Sequence, residues 1–272
     1  MKGLTMPAIA APAVSTAPGN RLLALGFVTL YGAGFVGARL GLPHAEPFAF
    51  LALRFALAAV LLAAIALAIG QAWLHQPDAA ATLEQLAAFD FVRGVRQKPR
   101  ANPAPGGAPG GMTDAAWLEG YARLEPLGLH YELQTPWWHL AEAARVAGRF
   151  PGTRIVINHA GMPSDRSDEG LRAWRAALAG MAAHANVAIK ISGIGEAGGQ
   201  WRLDANRRVV REVIELFGVG RCMFGSNYPV DSLCAPFQTI FDGFAACVAD
   251  LGAQEQSQLF VDNARRIYRI EA

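Results

Sequence analysis

The sequence predicts an α/β fold, a partial parallel (β/α) barrel preceded by a two-helix transmembrane-like hairpin. Three observations carry this reading. After Trp73, short apolar segments with strand character alternate with segments whose apolar residues recur at helical spacing. Polar residues recur where those strands end. Before Trp73 lie two long apolar runs, 22–42 and 48–69, each long enough to cross a hydrocarbon core of about 30 Å.

Composition narrows the classes. The chain has 272 residues, a net charge of +2 and 53% hydrophobic residues, with the apolar excess concentrated in the first third. No basic surface for nucleic acid is evident: Arg207, Arg208 and Arg211 stand at helical spacing beside Glu212 and Glu215, as on a solvated helix face. Cys222, Cys234 and Cys247 are odd in number and lack a CxxC pair, which argues against a disulfide framework and a zinc knuckle.

Three domains are predicted: residues 1–20, 21–73 and 74–272. The first is rich in Ala, Pro, Ser and Thr and is expected to be disordered. In the second, the turn PHAEP separates the apolar runs because its two prolines break a continuous helix. Gly26, Gly32, Gly34 and Gly37 permit close helix approach. Arg39 can snorkel from its helix end, and Arg54 can do so at the same face with Glu46 as partner. Lys2 and Arg21 favour a cytoplasmic amino terminus, and two spans return the chain to the cytoplasm. A membrane contact through residues 22–69 and an inner or plasma membrane location are the expectation; an uninserted hairpin leaves the chain cytoplasmic.

The third domain begins with a helix over ATLEQLAAF and a strand over FVRGVRQ. A Pro/Gly-rich loop near 99–113 follows and is expected to be mobile. Asp114 is a candidate cap for the helix AAWLEGYARLEPLG, with Gly128 at its end. The strands LHYELQ, TRIVINHAG, VAIKISG and RCMFGSN then alternate with helices, one of them capped by Ser167, and TIFDGFAACVADL and AQEQSQLFVDNARRIYRI close as helices. Five strands separated by helices indicate a parallel sheet. Their ends carry Arg96 and Gln97, Gln134, Asn158 and His159, Lys190 and Ser192, Ser226 and Asn227, and active sites of parallel barrels lie at the carboxyl ends of strands.

Two family resemblances follow from these segments. The run RLLALGFVTLYGAGFVGARLGLPHAEPFAFLALRFALAAVLLAAIALAIG resembles the first two helices of the drug/metabolite transporters of the EamA type; with two helices in place of the family's bundle, transport is not implied. FVRGVRQKPR, LQTPWWHL, RIVINHAGMPSDRS, NVAIKISGIG, RCMFGSNYPVDSL and FVDNARRIYRI together resemble the amidohydrolase-related TIM-barrel hydrolases, which include sugar lactonases and the 2-pyrone-4,6-dicarboxylate lactonase. That resemblance implies hydrolysis of a lactone or similar cyclic ester or amide, with a small molecule as partner. It implies catalytic roles for His159, Asn227 and Asp231 and substrate contacts for Arg96, Gln134 and Lys190. It also allows a divalent metal such as zinc, with His159 as a ligand.

Two departures from the family pattern stand out. The family barrel opens with HxH, but His44, His75, His130, His139, His159 and His184 include no such pair. The final-strand acid is replaced by Asn227, which cannot act as a carboxylate base and leaves Asp231 as the candidate. Five strands also cannot close an eight-stranded barrel. The expectation is therefore a hydrolase by descent, truncated and impaired; the alternative is a non-catalytic membrane-anchored fusion of transporter and hydrolase fragments.

Overall fold

The structure, a computed structural model, describes residues 69–196 and 201–270. Residues 1–20 and most of the 21–73 hairpin lie outside the described residues, so the hairpin and its membrane contact are not addressed by them. Among the described residues no helix is long and apolar enough to cross a membrane.

Six strands form one sheet: β1 (Ile69–Gln71), β2 (Gly94–Arg96), β3 (His130–Leu133), β4 (Ile155–Ile157), β5 (Val187–Ile191) and β6 (Cys222–Phe224). Every neighbouring pair is parallel and the spatial order follows the chain order. All six carboxyl ends therefore lie along one edge. The helices are α1 (Ala79–Ala87), α2 (Ala115–Tyr121), α3 (Leu140–Arg149), α4 (Asp168–Ala182), α5 (Leu203–Phe217), α6 (Phe237–Cys247), α7 (Ala253–Ser257) and α8 (Asn263–Tyr268).

Strand alternation sorts the side chains into two layers. Tyr131, Leu133, Ile155, Ile157, Ile189 and Phe224 join the core that the crossover helices cover. On the opposite face Val156, Ala188 and Met223 pack against Ile267, with Ala264 and Tyr268 beside them, so α8 covers the inner surface of the sheet. Both faces are buried, as a parallel sheet requires. Asn263 fixes the start of α8: its Nδ2 donates to the carbonyls of Val219 and Cys222, each at 2.8 Å.

Several sequence expectations change. The predicted five strands become six, because residues 69–71, assigned to the end of the second apolar helix and to the hairpin domain, form β1 and pair with β2. A three-residue strand at the end of an Ala/Leu-rich run leaves no period of its own to read. The 99–113 loop, expected to be mobile, is tied down. Arg100 N–H donates to the Gly110 carbonyl at 3.1 Å, and the buried Glu142 carboxylate of α3 accepts from Gly110 N at 2.7 Å and Thr113 N at 3.0 Å. His139 Nε2 accepts from Asn102 N at 3.2 Å. Asp114 makes no side-chain cap; its carboxylate instead accepts from Arg100 Nη2 at 2.9 Å. The helix α2 ends at Tyr121, and Gly128 sits in the following turn at φ +64. Ser167 does cap α4, its Oγ accepting from Gly170 N at 3.0 Å. The closing helix is interrupted by a π-helical turn over Gln258–Asp262.

Residues 69–75 are locked to the sheet by close packing. Gln97 Oε1 accepts from Leu74 N at 2.7 Å, and a Cβ on Gly120 of α2 would stand 2.0 Å from the Leu74 carbonyl oxygen. Gly180 of α4 has nothing within 4 Å of that position. The two glycines therefore predict opposite signs. Gly180→Ala should stabilise by up to about 1 kcal/mol, as in any open helix position. Gly120→Ala should destabilise by about 2–3 kcal/mol, since backbone rather than a movable side chain blocks the methyl. Urea unfolding of both variants checks the pair, and a stabilised Gly120→Ala would detach residues 69–75 from this unit.

Candidate active site

The inner face of β2, β3 and β5 carries a charged cluster. Alternation places His130 and Glu132 of β3 on that face, and register sets Arg96 beside Glu132. Glu132 is fully buried, and its Oε2 accepts from Lys190 Nζ at 2.7 Å and Arg96 Nη2 at 3.2 Å. Its Oε1 accepts from the Tyr268 hydroxyl of α8 and faces His130 Nε2 at 3.3 Å. The Lys190 ammonium also stands 5.0 Å from the Tyr268 ring centroid. Burial alone would raise the Glu132 carboxyl, but the bonds from His130, Lys190 and Tyr268 outweigh it and hold the group well below the usual carboxylate range. Burial depresses the Lys190 ammonium, and its contact with Glu132 offsets only part of that.

At the carboxyl ends of β4, β5 and β6 a second group converges. His159 Nδ1 lies 3.1 Å from Ser192 Oγ. Asn227 Nδ2 donates to Asp231 Oδ1 at 2.7 Å. Gly193, at φ +58, separates the two pairs: a Cβ there would lie 2.6 Å from His159 Nδ1 and 3.1 Å from Asn227 Nδ2. His159 (φ 55), Ala160 (φ 51), Met162 (φ 58) and Asn227 (φ 53) all adopt left-handed backbone. Such conformations in non-glycine residues cost energy and gather at functional sites. Here they turn the chain at once after its strand, so that His159 reaches Ser192 on the neighbouring strand end.

The environment sets the charge states. His159 is pushed down to about 4, by burial first and then by the positive charges of Arg96, Lys190 and Lys98, with Glu132 opposing. It is a neutral imidazole near neutral pH. Burial raises the Asp231 carboxyl above its ordinary 3.8, against the Asn227 hydrogen bond that lowers it.

His159, Asn227 and Asp231 are thus brought to one end of the sheet. Arg96 on β2 and Lys190 on β5 are joined to each other through Glu132 on the inner face. Gln134 lies half-buried just past β3, with no side-chain hydrogen bond among the described residues. The organising residue, Glu132, was not among the candidates read from the sequence. Its signal is in LHYELQ: period two puts His130, Glu132 and Gln134 on one face, and a carboxylate within an otherwise buried strand demands a cation, which VAIKISG supplies. Among the described residues no three of His, Cys, Asp and Glu converge to hold a metal ion. Among the described residues His159 is the one histidine at the carboxyl end of a strand, and its Nδ1 is engaged by Ser192. As a donor set, the described residues therefore do not fit zinc or another divalent ion.

A sheet of parallel strands in sequential order, each followed by a helix and with polar residues gathered at its carboxyl edge, is the arrangement of a TIM-barrel-type β/α fold. The sequence profile of the amidohydrolase family matches residues 32–270, and the chain belongs to that family. The match begins inside the first apolar run and spans the junction at Trp73, so it takes in most of the residues that the sequence reading gave to a transporter-like hairpin. An uncharacterized protein of Sinorhizobium fredii, y4mH, is 35% identical over 208 residues, covering 74% of this chain and 69% of that one. An L-fucono-1,5-lactonase of Burkholderia ambifaria is 31% identical over 219 residues, covering 76% and 71% respectively. An amidohydrolase from Burkholderia multivorans, solved with bound zinc, superposes with a TM-score of 0.65 at 26% identity, covering 75% of this chain and 73% of that one.

Two stability predictions follow from the charges. Glu132→Gln leaves Lys190 and Arg96 facing each other without a counter-ion. Because these cations retain some solvent contact, the cost should fall near the lower end of the range for a broken buried pair, about 3 kcal/mol, measured by urea unfolding at neutral pH. For His159, the unfolded chain binds the proton near the ordinary 6.5 and the folded chain only near about 4. Stability should therefore fall as pH drops through that window, and His159→Gln should remove that part of the slope. Equal slopes for parent and variant would place His159 in a solvated environment instead.

Proposed function

We propose that this chain is a side-chain-catalysed hydrolase of a small lactone. The observation that carries the reading is the convergence of neutral His159, Ser192, Asn227 and Asp231 at one strand edge, beside the cations Arg96, Lys190 and Lys98. The similarity to an L-fucono-1,5-lactonase supports a sugar-type lactone as substrate.

In this reading the Ser192 hydroxyl donates to His159 Nδ1, which leaves Nε2–H free to bond the lactone carbonyl oxygen. A neutral imidazole is the right donor because it polarises the carbonyl without surrendering its proton. Asp231, aimed by the Asn227 amide, takes a proton from water as the water oxygen bonds to the carbonyl carbon. The carbonyl electron pair moves to its oxygen and is held there by His159. Collapse breaks the ring C–O bond, and the alkoxide takes the proton back from Asp231 to give a hydroxycarboxylic acid. Arg96 and Lys98 supply positive charge for an anionic or hydroxyl-rich part of the substrate, and Gln134 a neutral contact.

A panel of sugar γ- and δ-lactones, followed by acid release, tests this. The parent should turn over at least one, and His159→Ala and Asp231→Asn should each lose roughly a hundredfold in kcat with an unchanged circular dichroism spectrum. The acid limb of kcat/KM should lie above the ordinary aspartate value of 3.8, because burial raises Asp231. Asn227→Leu removes the hydrogen bond that lowers Asp231, so the limb should move to higher pH. Full turnover in both catalytic variants, or none in the parent, would overturn the reading.

A further inference from the structure

One polar group at this edge has no role so far. Asn158 follows β4 directly, is 2% exposed, and its side-chain Nδ2 has no hydrogen-bond partner among the described residues. Buried amides in folded proteins nearly always find partners, because an unmet donor costs stability. Alternation places Asn158 on the inner face, above Val156, and Asn158 N–H donates to the Leu133 carbonyl at 2.8 Å, extending the ladder one step past the strand. The register Ile157↔Ile189 then sets it beside Lys190, and chain connectivity sets it beside His159. Arg96 Nε is a second buried donor without a partner, two strands away on the same face. Donors are in excess here and no protein acceptor meets them. An oxygen of a bound small molecule would satisfy both.

We propose that Asn158 is a catalytic residue, its side-chain N–H being the second donor of an oxyanion hole completed by His159. This rests on the hydrolase reading. The left-handed backbone at His159 lets two consecutive residues present donors toward one point, where regular strand geometry would aim them to opposite faces. An amide suits this role because it is a neutral donor that gains most when the carbonyl oxygen becomes an anion, so it favours the transition state over the substrate. The unpaired donor is then a fixed structural cost recovered during reaction.

The test uses Asn158→Leu, which keeps the shape and removes the donor, and Asn158→Asp, which keeps the shape and offers an acceptor. Lactone turnover is measured beside calorimetric binding of a six-membered cyclic phosphonate, a tetrahedral anion resembling the oxyanion. Asn158→Leu should lower kcat by roughly a hundredfold with KM within about twofold, and weaken phosphonate binding by about tenfold or more. Asn158→Asp should weaken both further. The thermal midpoint of Asn158→Leu should equal or exceed the parent's, since an unpaired buried donor has been removed. A merely structural asparagine would give the reverse, with a lowered midpoint and unchanged phosphonate affinity, and that result overturns the assignment, as does a parent that does not bind the phosphonate. A parent that binds it through Asn158 yet hydrolyses no lactone would sink the hydrolase reading and leave the donor in place.

Discussion

The buried carboxylate of Glu132 is the interaction on which the rest of the molecule depends. It sits on the central inner face, where a charge without partners would be prohibitively costly. Its four partners come from β2, β3, β5 and α8: Arg96, His130, Lys190 and Tyr268. One side chain thus fixes the relative placement of three strands and closes the C-terminal helix over them. The same contacts govern the site above. Without Glu132, Arg96 and Lys190 would repel each other and add their full field to His159. With it, the cations are held together on the inner face, and their remaining field adds to the burial that keeps the imidazole neutral.

The sequence makes most of this unit legible. The strands FVRGVRQ, LHYELQ, TRIVINHAG, VAIKISG and RCMFGSN all occur, because each joins an apolar alternation to a terminal polar residue and a following helical period. The edge shared by His159 and Asn227 follows from parallel order alone. What escapes is set by contacts distant in sequence. The strand β1 is made by pairing with β2 and by α2 packing on Leu74, neither of which leaves a mark in residues 69–71. The loop at 99–113 is rich in Pro and Gly, as mobile segments are. Yet Glu142, some thirty residues onward in α3, accepts its backbone N–H groups and gives it a fixed course. Glu132 and Tyr268 meet across 136 residues, beyond any local pattern.

Backbone strain is concentrated at the carboxyl edge of the sheet. Four of the left-handed non-glycine residues fall in the two turns that follow β4 and β6. A relaxed turn would carry His159 away from Ser192 and Asn227 away from the edge. The sheet beneath, buried on both faces, absorbs that cost, which is how a rigid scaffold commonly supports strained functional loops.

The replacement of a strand-end acid by Asn227 reads, in sequence, as the loss of a base. The geometry gives it another meaning. The Asn227 amide lies beside Gly193, where a Cβ would come within 3.1 Å of its Nδ2. With asparagine there, the carboxylate is displaced four residues to Asp231, on the turn Val230–Leu233, where burial rather than cationic neighbours sets its affinity for a proton. The Asn227 amide then serves as the donor that orients it. The exchange leaves a neutral amide at the strand end and places the carboxylate on the turn that follows. Among the described residues, which hold no converging metal ligands, the proposed chemistry accordingly rests on a neutral imidazole at the end of β4 and a carboxylate on the turn after β6.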